Sequence, residues 1–315
     1  MLGLAAIGAL SGYLLANLTE WLGLVPALNL SGGQLIALLL LLLPIWFLVV
    51  LAHEAGHLAG GVAASVPPDG HNLIRRMLLM VVGGPAGSLL IALLALVAMA
   101  FANGLPAAAL LVATSLGLII TIITLVPMRS GGFYSDGARI LMLLRGGPQA
   151  ERWSAVALLL NASLAGRLRE LDASLVARAT ALRDGTLDAV SAAFMAYSVE
   201  LTLGDVVAAG AQLDYTLANL EVYPAAFRPA ILVEAAYFTA RHRGDAGTAR
   251  AYLEQTNGSA LVEAYTRHRA EAAVLRAEGR AEESRAAVEA GLIALQRARL
   301  GSAGVIEAEL LAELR

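Results

Sequence analysis

The sequence predicts an all-α membrane protein in which four transmembrane helices are followed by a soluble helical domain. A mean hydropathy of +0.70 and a hydrophobic fraction of 58% are too high for an ordinary soluble chain of 315 residues. Charge is also segregated, because no Lys or Arg precedes Arg75 and most of the 22 basic residues, all of them Arg, follow Arg145. We therefore expect a transmembrane domain over residues 1–145 and an α-helical domain over residues 146–315.

Four apolar stretches in the first domain are long enough to cross a bilayer. They cover approximately residues 2–18, 34–60, 77–103 and 106–126. The first is the weakest, since glycine and serine interrupt it, and a secretory signal peptide is the competing interpretation. No positively charged region precedes it, which favours a retained helix. The third is interrupted by GGPAGS at 83–88, which is either a close helix contact or a break that exposes backbone groups.

Arginines in the loops predict the orientation of these helices. Arg75 and Arg76 lie between the second and third stretches, and Arg129, Arg139 and Arg145 follow the fourth. With four spans, these two regions lie on the same side of the membrane, which the positive-inside rule makes cytoplasmic. We therefore expect a multi-pass protein of the cytoplasmic membrane, in contact with the lipid bilayer and with both termini in the cytoplasm. The lack of lysine suggests a GC-rich bacterial source.

The second apolar stretch carries the pentapeptide HEAGH at 53–57. Spacing by four residues places His53 and His57 on one face of a helix, where both imidazoles can bind one zinc ion. Glu54 between them can serve as general base toward a bound water molecule. Such polar side chains are costly in hydrocarbon unless they are paired, bound to a metal or facing a wet cavity. The alternative is a coincidental helix edge with two interfacial histidines.

A candidate third ligand, Asp136, follows the fourth stretch. Pro127 ends or bends that stretch, and the glycines after it permit a tight excursion of the chain. Asp136 then lies at about the depth of the two histidines, and a set of two histidines and one aspartate leaves a fourth tetrahedral position open. The alternative is that Asp136 only caps a helix beginning near Gly137, because Asp is a favoured N-cap. Cysteine is absent, which excludes thiolate ligands and disulfides.

These motifs together resemble the site-2 protease family, zinc metalloproteases that cut substrates within or near the membrane. The resemblance covers roughly residues 35–145. It consists of HEAGH on the second apolar stretch, GGPAGSLL on the third, and a proline followed by Asp-Gly after the fourth. It implies a core of three helices and one zinc ion per chain. It also implies that the metal ligands are His53, His57 and Asp136 and that the catalytic base is Glu54. Ser88 and Thr124 stand where the family often has Asn, and hydroxyl groups have a shorter reach than amides.

The expected function is therefore zinc-dependent intramembrane endopeptidase activity on a membrane-anchored protein substrate, close to the cytoplasmic face. One alternative is a noncatalytic membrane scaffold with the same fold, which recruits partners through its helical domain. Another is an unrelated HExxH peptidase whose third ligand is a downstream glutamate, of which Glu151 is the first. His71 is expected in a loop and not as a ligand.

The C-terminal domain is predicted to consist of amphipathic helices, because charged residues recur every few positions among Ala and Leu. Three segments align and resemble degenerate tetratricopeptide helix-turn-helix units; they begin at Gly204, Gly244 and Gly279. A generic Ala-rich bundle is the alternative. Either arrangement offers a docking surface for a cytoplasmic protein partner, and the net charge of −3 argues against nucleic acid. We expect His242 and His268 at the surface.

Overall fold

The computed structural model describes residues 13, 30–63, 72–130, 132–301 and 303–315. The chain forms two compact units, Met1–Gly146 and Gly147–Arg315. Within the described residues the secondary structure is helical apart from one short hairpin, which confirms the all-α prediction. The first predicted span, except for Tyr13, and the segment that contains His71 lie outside the described residues.

Three helices of the first unit are long and apolar enough to cross a membrane, among the residues that the structure describes. They are α1 (Gly32–Ala63), α2 (Leu73–Met99) and α3 (Gly104–Leu125). Most of the leucine side chains on α1 are exposed, which would be unfavourable in water and is expected in contact with acyl chains. These helices therefore indicate a membrane-embedded protein.

Glycines allow α1 and α2 to pack backbone against backbone. A Cβ atom on Gly56 would overlap the carbonyl oxygen of Gly83, and a Cβ atom on Gly83 would overlap that of Gly56. A Cβ atom on Gly87 would likewise overlap the carbonyl oxygen of Ala52. The segment at 83–88 is therefore a helix contact of the small-residue type.

Of the two interpretations of this segment, the broken helix is wrong, because α2 continues through Pro85 from Leu73 to Met99. Pro85 lacks the N–H group that would pair with the carbonyl oxygen of Val81 one turn earlier, a loss that membrane helices tolerate where close neighbours compensate. Ser88 Oγ lies 3.1 Å from the carbonyl oxygen of Pro85 and donates to it. The glycines consequently bring α1 close to α2 and leave the helix intact.

After α3 the chain makes an antiparallel hairpin of β1 (Arg129–Ser130) and β2 (Phe133–Tyr134) and then enters α4 (Asp136–Arg145). A Cβ atom on Gly137 would overlap the carbonyl oxygen of Leu125. Glycine at this position therefore lets the start of α4 lie directly against the end of α3, which fixes the location of Asp136.

The second unit consists of nine α-helices with short 3-10 and π segments, counted over its described residues. The α-helices are α5 (Pro148–Leu164), α6 (Ala173–Thr180), α7 (Leu187–Leu203), α8 (Val206–Ala218), α9 (Arg228–Phe238), α10 (Ala246–Glu254), α11 (Ala264–Ala277), α12 (Ala281–Ala298) and α13 (Ala303–Ala312). The 3-10 turns are Leu168–Glu170, Leu220–Val222 and Ala225–Phe227, and a π turn covers Thr239–Arg243. The core is built largely of Ala, Leu and Val.

The three aligned segments have equivalent local structures. Gly204, Gly244 and Gly279 all adopt positive φ angles, between 68° and 83°, immediately before a new helix. Asp205 and Asp245 then cap α8 and α10 by accepting hydrogen bonds from the backbone N–H groups of Ala208 and Thr248. The residues nine positions after each glycine are all buried; they are Leu213, Leu253 and Val288. Each segment thus joins two contacting helices through a glycine at positive φ. The third differs from the other two in that Arg280 provides no side-chain cap.

The surface prediction is wrong for His242, which is half-buried with its Nε2 atom enclosed. The π turn directs the imidazole onto Phe238, with ring centroids 5.0 Å apart. Burial, together with the positive charge of Arg241, lowers the pKa of His242. His268 has a side chain that is 34% exposed. The first of these histidines is therefore a packing residue.

Candidate metal centre

Helix α1 and the start of α4 bring three metal-binding side chains together. His53 Nε2 lies 3.3 Å from Asp136 Oδ2, and His57 Nε2 lies 3.5 Å from Asp136 Oδ1. The four-residue spacing on α1 places both imidazoles on one side of the helix, as the sequence predicts. His53 is buried, while the His57 and Asp136 side chains are 25% and 16% exposed. The group is thus mostly buried and remains accessible to solvent at His57 and Asp136.

A backbone hydrogen bond orients the His57 ring. Its Nδ1 atom lies 2.9 Å from the carbonyl oxygen of Met80 on α2. A carbonyl oxygen only accepts, so Nδ1 carries the proton and the lone pair of the neutral ring is at Nε2. Metal-binding histidines commonly make such a bond through the second ring nitrogen. The tautomer and the ring orientation are therefore already those that a metal ion requires.

His53 has a side-chain partner in the corresponding position. Its Nδ1 atom lies 3.4 Å from Ser88 Oγ, a longer contact than that of His57. The Ser88 hydroxyl lies 2.9 Å from Thr121 Oγ1, and both side chains are buried. Because Ser88 donates to a backbone carbonyl of its own helix, its oxygen can accept the proton of His53 Nδ1. Helices α2 and α3 thus both contribute to the orientation of His53.

Glycine also forms part of the site. A Cβ atom on Gly84 would overlap the imidazole ring of His57, so a side chain at this position would displace the ring. The same segment of α2 therefore brings the helices together and leaves room for the histidine.

The three side chains fit a divalent metal ion. One ligand atom from each lies within 4.8 Å of the others. Two ligands at typical zinc bond lengths in a tetrahedral site are roughly 3.3 Å apart, which matches the two His–Asp distances. Two imidazoles and one carboxylate form a donor set that leaves one tetrahedral position open. His53, His57 and Asp136 could therefore hold a metal ion.

Ser135, and not Asp136, is the N-cap of α4. Its hydroxyl oxygen accepts from the backbone N–H of Ala138 at 3.2 Å and from that of Met128 at 3.0 Å, and it donates to the carbonyl oxygen of Val126 at 2.7 Å. These bonds tie the end of α3 to the start of α4 across the hairpin. Asp136, the first residue of α4, consequently directs its carboxylate to the two histidines.

The remaining candidates have other surroundings. Glu54 is exposed on α1, next to His53 in the chain, and among the described residues it has no hydrogen bond or ion pair. Thr124 is half-buried, and its hydroxyl donates to the carbonyl oxygen of Thr121 at 3.3 Å. Glu151 is an exposed residue in the first turn of α5, in the second unit. The structure therefore brings together three of the four proposed active-site residues and leaves Glu54 beside them.

Sequence reasoning missed Met80, Thr121 and Ser135. A backbone carbonyl such as that of Met80 leaves no sequence signal. Thr121, however, belongs to a stripe of small and polar residues on α3, which recurs every three or four positions. The buried members are Thr114, Gly117 and Thr121.

No protein-family model, no curated protein and no solved structure matches this chain.

Proposed function

We propose that this protein is a zinc-dependent intramembrane endopeptidase of the site-2 protease type. One observation carries the proposal: two histidines of an apolar, membrane-length helix converge on one carboxylate, with both Nε2 atoms directed to it. Polar groups in such a helix are costly unless they have a function that compensates for their burial.

Zinc is the metal that suits this donor set best. Imidazole and carboxylate ligands with an open position are typical of catalytic zinc sites, whereas magnesium and calcium favour oxygen donors alone. We propose one zinc ion per chain. Bound there, zinc would act as a Lewis acid and lower the pKa of a water molecule toward neutrality.

The side chains of this protein then have distinct roles. His53, His57 and Asp136 hold the metal ion, and the bonds from His57 to Met80 and from His53 to Ser88 keep the imidazoles oriented. Glu54 accepts a proton from the attacking water and returns it to the leaving amine. Its exposure and its position next to His53 leave it free to reach water and substrate.

The location of the site suggests the substrate class and the direction of release. We propose four spans, with both termini in the cytoplasm of a bacterial cell and the metal site below the cytoplasmic surface. Arg75 and Arg76, at the start of α2, and the arginines after α3 support this orientation. The substrate is then a membrane-anchored protein, cut near its cytoplasmic end.

The second unit is proposed to be a tetratricopeptide-like interaction domain. The equivalent turns at Gly204, Gly244 and Gly279 support a repeat of helix pairs. Stacked helix pairs offer an extended surface, and we propose that it binds a cytoplasmic protein partner or the tail of a substrate.

A noncatalytic scaffold is the second candidate function. The observation that favours it is that Glu54 lacks, within the described residues, a polar partner that would direct it to the metal group. A scaffold would keep the fold and use the helical unit for recruitment.

Substitution of Glu54 distinguishes the two functions. Glu54→Gln preserves size and removes the base, so we expect unchanged zinc content and a loss of hydrolysis of roughly a hundredfold or more. The measurement is mass spectrometry of new protein termini within or beside membrane segments, in cells that produce either form. Glu151→Gln, in the second unit, is the control and should process substrates normally. Identical termini with wild type and Glu54→Gln would favour the scaffold.

A further inference from the structure

The second unit contains a partly open cavity of about 170 Å³ that the proposed protease chemistry does not use. Helices α7, α9, α11 and α13 surround it, with the end of α5 on one side. Its wall is apolar at residues such as Leu201 and Ile306, and hydroxyl groups such as that of Ser198 also face it. Its polar end is formed by Arg269, Glu234 and Glu307.

Arg269 is the central group of this polar end. Its side chain is 1% exposed and stacks over the ring of Tyr237, with Cζ 4.3 Å from the ring centroid. One guanidinium nitrogen, Nη2, donates to Glu234, whose second oxygen accepts from the hydroxyl of Tyr197 at 3.1 Å. The other terminal nitrogen, Nη1, is buried and has no hydrogen-bond partner among the described residues. Since such a donor costs free energy when it is unpaired, it marks a place for an acceptor.

Glu307 on α13 provides the complementary group. Its Oε2 atom lies 3.0 Å from Arg269 Nε, yet this oxygen is buried and lacks an aligned hydrogen bond within the described structure. Burial raises the pKa of the Glu307 carboxyl, against the lowering effect of Arg269, and Glu234 adds to the increase. The carboxylate is thus an incompletely compensated negative charge.

The charges of the three groups do not balance. One guanidinium and two carboxylates sum to −1 when all are ionised, in surroundings where a net charge is costly. A ligand that carries one positive charge would neutralise the cluster. A neutral oxygen on the same ligand would accept a hydrogen bond from Arg269 Nη1. A carboxylate on the ligand would instead restore the excess negative charge.

The cavity has room for a small molecule. A water molecule needs only about 15 Å³ of such volume, and a cavity of about 150 Å³ accommodates a benzene-sized molecule. The cavity therefore exceeds the need of one or two bridging waters and accommodates a molecule of a few non-hydrogen atoms.

We propose that this cavity binds a small primary ammonium compound that also carries a neutral oxygen acceptor, of the amino-alcohol or amino-amide class. The ammonium group pairs with Glu307, and the oxygen accepts a hydrogen bond from Arg269 Nη1. The apolar wall holds the short carbon chain. This site is independent of the proposed protease function, because every group involved belongs to the second unit.

Equilibrium dialysis of radiolabelled ethanolamine against the full-length protein in detergent tests the proposal. We expect saturable binding that unlabelled ethanolamine displaces at least tenfold better than ethylamine, which lacks the oxygen, or ethylene glycol, which lacks the ammonium group. Glu307→Gln should weaken binding at least tenfold. Glu309→Gln is the matched control, because this exposed glutamate lies on the same helix and pairs with Arg169 instead.

Filling the cavity provides a second test that does not depend on charge. Ile306→Trp adds a large side chain to its apolar wall and should abolish ethanolamine binding while the helical circular-dichroism signal is retained. No saturable binding to the wild-type protein would overturn the proposal. Equal displacement by ethylene glycol, or binding unchanged in Glu307→Gln or Ile306→Trp, would also overturn it.

Discussion

The two units of this protein use opposite solutions to helix packing. In the first, glycines such as Gly56 and Gly83 bring helix backbones into contact, and most large apolar side chains of α1 point outward. In the second, Ala, Leu and Val point inward, and side-chain caps such as Asp205 and Asp245 begin the helices. The first pattern suits a solvent as apolar as the side chains, and the second suits water.

This difference explains where polar chemistry can be held. In the first unit the closely packed backbones leave room for few polar side chains, and each of the three candidate metal ligands has a defined contact. In the second unit ion pairs are frequent and mostly exposed, so a single pair contributes little to stability. Arg152, which pairs with Asp184, and Arg269 are the buried exceptions. Of these two, Arg269 has unpaired donor atoms within the described residues, and this is why its cluster indicates a ligand.

The largest expected effect on stability comes from the backbone contact between α1 and α2 in the first unit. Gly83→Val places a side chain against the carbonyl oxygen of Gly56, so α1 and α2 must separate. We expect a destabilisation beyond about 3 kcal/mol, with loss of folded, zinc-binding protein in detergent. Gly61→Val is the control, because the nearest atom to a Cβ there is in the flexible Met80 side chain at 3.7 Å. Equal thermal stability of both variants would refute the packing argument.

A smaller effect is expected from the hydroxyl that orients His53. Ser88→Ala removes the contact to His53 Nδ1 and to Thr121. Loss of such a partner typically lowers metal affinity roughly 10- to 100-fold. Competition with a chelator measures this affinity. Ser115→Ala serves as the control, since that hydroxyl donates to the carbonyl oxygen of Leu111 on its own helix. The same affinity in both variants would contradict the role of Ser88.

The smallest expected effects come from removing two helix caps, one in each unit. Ser135→Ala and Asp205→Ala each remove an N-cap and should lower stability by about 1 kcal/mol. Only Ser135→Ala should also weaken zinc binding, because Ser135 additionally holds Val126 and Met128 in place beside Asp136. Thermal unfolding and chelator competition measure the two quantities. Weaker zinc binding in Asp205→Ala would mean that metal affinity follows overall stability instead.

Local sequence patterns predicted the features of the fold that depend on neighbouring residues. The helical content, three of the apolar stretches and the turns at Gly204, Gly244 and Gly279 all follow from hydropathy and from glycine conformation. The continuity of α2 through Pro85 could not be predicted in this way, because it depends on the contact with α1.

The candidate site was predictable to a similar extent. The spacing of His53 and His57 identifies two candidate ligands, but spacing alone could not decide whether Asp136 was a candidate ligand or a cap. The structure assigns the cap to Ser135, so the Asp136 carboxylate is available to the histidines. The contact of His57 with the Met80 carbonyl arises from helix packing and has no sequence signature.

The most direct test of the central claim is the zinc stoichiometry of the purified full-length protein, measured by atomic emission after zinc reconstitution. We predict about one zinc ion per chain in the wild type, as in other sites built from two histidines and a carboxylate. His57→Ala and Asp136→Ala should each lose most of it, while Glu151→Ala should retain it. Absence of zinc from the wild type, or its retention in both ligand variants, would contradict the assignment of His53, His57 and Asp136 as a metal centre.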